Sequence, residues 1–97
     1  MRVTDEQVAA IKRAAAEVFG MDAVIRLYGS RVDDRRRGGD IDLHFEVAAI
    51  PDYRRQSRFL DAIDAAIDGR KVDLWFTPRD IEPRGLERVP YRDGLVL

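Results

Sequence analysis

Val8, Ile11, Ala15, Val18 and Phe19 recur three or four residues apart, the spacing that lines apolar side chains along one face of a helix. Thr4, with Gln7 three residues on, makes a capping box at the start of that helix, and Gly20 ends it. The pattern then shortens. AVIRLY, from Ala23 to Tyr28, is brief, rich in β-branched and aromatic residues and bounded by Gly29, which predicts a strand. In IDLHFEV, from Ile41 to Val47, the apolar Ile41, Leu43, Phe45 and Val47 alternate with Asp42, His44 and Glu46, a period of two with one apolar face.

Pro51 interrupts the chain, and helical spacing returns from Tyr53 to Asp68. There Phe59, Leu60, Ile63, Ala66 and Ile67 share a face, and Arg54, Arg55, Arg58, Asp61 and Asp64 lie elsewhere around the axis. Gly69 is the expected stop. A further strand follows in KVDLWFT, Lys71 to Thr77, with Val72, Leu74 and Phe76 on one side and Asp73, Trp75 and Thr77 on the other. Beyond Pro78, a short helix over Arg84 to Val89 and an edge strand over Gly94 to Leu97 complete the expected elements.

This order predicts a single α/β (α+β) domain over residues 1–97, a small mixed sheet of three to four strands with both long helices on one face. The other face is left short of covering. Arg26, Tyr28, Asp40, Asp42, His44, Glu46, Asp73 and Trp75 fall on it if the pleats run as read. A polar, partly aromatic face of this kind is where a site or a partner belongs, including a second chain in a homo- or hetero-oligomer.

Composition narrows the partners. Seventeen basic and eighteen acidic residues nearly cancel, so no global field announces a nucleic-acid or membrane-surface binder, and electrostatic function must be local. With no cysteine, disulfides, thiolate metal sites and cysteine nucleophiles are excluded. MRVTDEQVAA lacks a signal-peptide apolar region, and no stretch approaches the ~20 apolar residues of a membrane span, which leads to the expectation of a cytoplasmic protein.

Candidate chemistry is concentrated in LYGSRVDDRRRGGDIDL, Leu27 to Leu43. Asp40 and Asp42, one residue apart at a strand start, point the same way, and two carboxylates so close stay ionised at neutral pH only with a cation between them. Hard divalent ions such as Mg²⁺ take oxygen ligands and leave positions for substrate phosphates. Asp73, between apolar Val72 and Leu74, is a costly place for a charge without a partner. Three carboxylates on adjacent strands could hold two metals about 3.5–4 Å apart, the arrangement that clamps attacking and leaving oxygens in nucleotidyl transfer. Gly29 and Ser30 lie where a backbone can approach a phosphate closely, and Arg31 can add a charge-assisted contact. Each feature also has an ordinary reading. Gly-Ser after a strand is commonly a turn, Asp-x-Asp a solvated edge or a calcium or sugar-nucleotide site, Asp73 the partner of an arginine, and Arg35 to Arg37 a solvated loop. His44 can be a mere neighbour of the aspartates, and Trp75 an interface residue. It is their order along these strands that carries weight.

Leu27-Tyr28-Gly29-Ser30-Arg31, a polar loop, and then Gly39-Asp40-Ile41-Asp42-Leu43 resemble the hG[GS]…[GS]DhD signature of the polymerase-β-like nucleotidyltransferases. The short chain and the early third carboxylate in Val72-Asp73-Leu74 resemble most the minimal nucleotidyltransferases that accompany HEPN-type toxins. The resemblance covers roughly Ala23 to Thr77. It implies that Gly29, Ser30 and Arg31 hold the triphosphate of ATP, that Asp40 and Asp42 bind two Mg²⁺, and that Asp73 ligates one metal and helps activate the acceptor hydroxyl. It further implies transfer of AMP to a tyrosine of a HEPN-type toxin, with this chain as antitoxin. Two departures stand out: Gly39 where the pattern often has serine, and a short basic loop with Asp33 and Asp34 where the family often has a glycine. Neither direct nucleic-acid binding nor membrane association is expected. The rival expectation is a binding module that neutralises its partner by occupancy through the Tyr28 and Trp75 face; an Asp-x-Asp sugar-nucleotide transferase is a third.

Overall fold

The computed structural model describes residues 3–28 and 40–97. Helix α1 (Asp5–Phe19) begins at the expected capping box, with Thr4 Oγ1 accepting from the Gln7 amide at 3.1 Å and Gln7 Oε1 accepting from the Thr4 amide at 2.9 Å. Strand β1 (Val24–Tyr28) pairs antiparallel with β2 (Ile41–Val47), and β2 pairs parallel with β3 (Val72–Pro78). A parallel pair needs a crossover, and α2 (Tyr53–Ile63) supplies it, started by Asp52, whose Oδ1 accepts from the Arg55 amide at 2.9 Å. A 3-10 turn at Gly85–Glu87 leads into α3 (Arg88–Asp93), and β4 (Leu95–Val96) adds antiparallel to the free edge of β1. The sheet order is β3-β2-β1-β4.

Helices α1 and α2 bury the apolar face of the sheet. Ile11, Ala14 and Ala15 of α1 and Phe59 and Ile63 of α2 share one core with Ile25, Leu27, Ile41, Leu43, Phe45 and Val47 of the strands. All four phenylalanines meet there: Phe19 and Phe45 each contact Phe59 and Phe76 as well as one another, with ring centroids 5.0–5.3 Å apart. Such edge and offset pairs add about 0.5–1.5 kcal/mol each beyond the area they bury. This core rigidly sets the register of β1, β2 and β3, because a slip by one residue would turn every phenylalanine and isoleucine to the other face.

Strands β1, β3 and β4 differ from expectation by a residue at their ends, and two helices differ by more. The second helix ends at Ile63 rather than Asp68; a run of hydrogen-bonded turns follows and closes at Asp68 and Gly69, with φ values of 61° and 72°, while Ile67 still buries into the core. The tail helix lies at Arg88–Asp93 rather than Arg84–Val89. Pro90 is its third residue, where the missing N–H is one of those a first helical turn leaves unbonded anyway. The larger difference is where the tail goes: α3 packs back on β1, so the polar face of the sheet is covered at one end.

Candidate functional site

Period two puts Arg26 and Tyr28 of β1, Asp42, His44 and Glu46 of β2, and Asp73, Trp75 and Thr77 of β3 on the face away from α1 and α2. The register pairs Tyr28 with Asp42 and Asp42 with Asp73; two residues along, it pairs Arg26 with His44 and His44 with Trp75. The face therefore has two ends.

At the end under α3 the polar groups are sealed. His44 is 0% and Thr77 2% exposed. His44 Nε2 shares a hydrogen bond with Thr77 Oγ1 at 2.9 Å, and Thr77 Oγ1 shares another with the Tyr91 hydroxyl at 2.8 Å. The Arg26 guanidinium sits 4.3 Å over the Tyr91 ring and donates to Glu46 Oε1 at 3.1 Å. Burial, and then the Arg26 charge, hold the His44 imidazole down to about 4, against the weaker upward pull of Glu46 and Glu87. His44 is thus neutral at ordinary pH, and its Nδ1 has no hydrogen-bond partner among the described residues. The sequence placed His44 on an open face beside the aspartates; in the structure Tyr91 and Trp75 close it in and it is fully buried.

At the other end stand Tyr28, Asp42, Asp73 and Trp75. Asp42 is the second residue of β2 and half-buried; Asp73 is the second residue of β3, with its side chain 50% exposed. That exposure removes the burial cost expected for Asp73. Its ion pair with Lys71 is long, at 3.8 Å, and exposed, and pairs of that kind contribute little. The Tyr28 ring lies 5.9 Å from that of Trp75. Burial, and then the charges of Asp42 and Asp73, push the Tyr28 phenol up to about 12, so it stays protonated at neutral pH. Both carboxylates act on one phenol, an electrostatic sign that the three groups converge.

Of the sequence-predicted site residues, the structure brings together Asp42 and Asp73. Asp40 is exposed one residue ahead of β2, and among the described residues no group of three or more His, Asp or Glu side chains is placed to hold a metal ion. Gly29, Ser30 and Arg31, with Asp33, Asp34, Arg35 to Arg37 and Gly39, lie outside the described residues. The carboxylate oxygens of Asp42 and Asp73 are hard donors of the type Mg²⁺ prefers, and an ion between them would relieve the repulsion of two like charges. Tyr28 was legible as a member of this end, because the alternation on β1 puts it on the same face. The His44–Thr77–Tyr91 chain was half legible: two polar residues share a strand face, but nothing in the tail marks Tyr91 as the third.

Compared with known proteins, the chain matches no family model, and no curated protein is significantly similar to it. No helix among the described residues is long and apolar enough to cross a membrane.

Proposed function

We propose that the chain is a minimal nucleotidyltransferase domain of the polymerase-β-like fold, transferring AMP from ATP to a hydroxyl acceptor with Mg²⁺ bound. The acceptor is a tyrosine of a HEPN-type toxin, and the modification makes this chain an antitoxin. The observation that carries this reading is the in-register pair Asp42 and Asp73, at the end of the polar sheet face away from α3. In the sequence Gly29-Ser30 directly follows β1, and Asp40 directly precedes β2.

Mg²⁺, when bound, supplies charge for the phosphate oxygens and the leaving pyrophosphate. Asp42 and Asp73, with Asp40 ahead of the strand, are the residues that would hold it. The acceptor hydroxyl oxygen forms its bond to the α-phosphorus as the bond from that phosphorus to the pyrophosphate oxygen breaks. Asp73, the more exposed carboxylate, takes the hydroxyl proton. Gly29, Ser30 and Arg31 bind the triphosphate in this reading, as residues that offer backbone and guanidinium donors to phosphate oxygens.

Incubation with ATP, Mg²⁺ and the product of the adjacent gene should give an AMP adduct on that partner, lost with Asp42→Asn. Absence of any adduct with every nucleotide tried would defeat the catalytic reading. Neutralisation that survives Asp40→Asn and Asp42→Asn without modification would establish the occupancy mechanism in its place.

A further inference from the structure

We infer that the chain is its own acceptor at one position: it adenylylates the hydroxyl of Tyr28. This rests on the nucleotidyl-transfer reading and adds to it a modification site within the domain itself.

Tyr28 is the direct cross-strand partner of Asp42, and Asp42 is in register with Asp73. Side chains directly opposed on a sheet have Cβ atoms about 4.5–5.5 Å apart, so a phenol and both carboxylates share one small area of three adjacent strands. The other tyrosines offer no such placement. The chain has three: Tyr53 is 84% exposed at the start of α2, and the Tyr91 hydroxyl is bound to Thr77 at the sealed end. Tyr28 alone of the three lies in register with the carboxylate pair. A tyrosine is also the acceptor class that the proposed reaction uses in its partner. Holding such a group permanently at the site replaces a bimolecular encounter with an intramolecular step.

The step balances as the partner reaction does. Tyr28 Oη forms a bond to the α-phosphorus of ATP, the bond to the pyrophosphate oxygen breaks, pyrophosphate leaves, and the phenolic proton passes to the Asp42 or Asp73 carboxylate. The product carries a phosphodiester charge and an adenosine against Asp42, Asp73 and Trp75. It fills the place where the next ATP would bind, so the modification limits the enzyme that makes it.

The test is to incubate the full chain alone with ATP and Mg²⁺, remove nucleotide and metal, and map the adduct by peptide mass spectrometry while recording emission from Trp75. Trp75 is the only tryptophan, and its ring is 5.9 Å from that of Tyr28. One AMP per chain is expected on Tyr28 and none on Tyr53 or Tyr91, at a rate per molecule independent of protein concentration. A change in Trp75 emission should persist after ATP and Mg²⁺ are gone, and both signals should be absent from Tyr28→Phe. If that variant does not fold, the peptide map of the wild-type chain decides alone. An adduct on the partner toxin with none on Tyr28 overturns this inference and leaves the transfer reading standing. No adduct on either chain overturns both. A Tyr28 adduct whose rate per molecule rises with protein concentration assigns the reaction to a second copy and overturns self-transfer.

Discussion

The two ends of one sheet face, built by the same three strands with the same alternation, have opposite fates. Under α3, His44, Thr77 and Tyr91 hydrogen-bond to one another and Arg26 is held between Glu46 and the Tyr91 ring, so polar side chains are consumed in closing the fold. Two residues away along the strands, Asp42 and Asp73 stand side by side, with Asp73 open to solvent. A polar residue facing away from the core is therefore not by itself a functional signal. What separates the ends is that α3 closes one of them.

Substitutions can break this contrast, and the largest effect is expected at the open end. Asp42→Asn should lower AMP transfer by roughly 10²–10³-fold, the usual loss when one preorganised electrostatic group is removed, read from single-turnover kinetics. The second effect belongs to the sealed end and to pH. Unfolded, His44 takes up its proton near 6.5; folded, near 4. Between those values the unfolded chain binds the extra proton, so the His44 contribution to stability is lost as pH falls through that window and is flat above it. It amounts to roughly 3 kcal/mol at most, and denaturant titrations of wild type and His44→Gln across the window should converge as pH falls.

Thr77→Val comes next. It leaves the Tyr91 hydroxyl and His44 Nε2 without their shared partner and should cost about 1–3 kcal/mol in chemical denaturation. The transfer activity of the molecules that remain folded should be little changed. The smallest effect sharpens the contrast most: Asp73→Asn should change stability by less than about 0.5 kcal/mol, since it loses only an exposed 3.8 Å pair with Lys71. The same substitution should still abolish most of the transfer.

Much of this arrangement could be read in the chain. Strand β2 was legible to its last residue because an unbroken alternation of seven positions admits one face assignment, and the Thr4–Gln7 box fixed the start of α1. The end of α2 was not: apolar spacing continues to Ile67, which is buried although the helix has ended at Ile63 and hydrogen-bonded turns have taken over. The tail helix was misplaced: it runs Arg88–Asp93 through Pro90, a residue that is harmless in a first turn. From the site, the sequence supplied Asp42 and Asp73 on one face. It could not show that α3 would divide that face, since a docking contact between elements so far apart in the chain leaves no local period. Nor could it show that Asp73 is half exposed, which depends on how much of β3 the neighbouring strands and helices cover.

The central claim, that the open end binds a metal–nucleotide complex through its paired aspartates, is tested most directly with Mn²⁺ in place of Mg²⁺. Free Mn²⁺ would be counted by electron paramagnetic resonance during titration of wild type and Asp42→Asn in the presence of a non-hydrolysable ATP analogue. Saturable uptake by the wild type, lost in Asp42→Asn and retained in Thr77→Val, is the predicted result. Equal uptake by wild type and Asp42→Asn would contradict it.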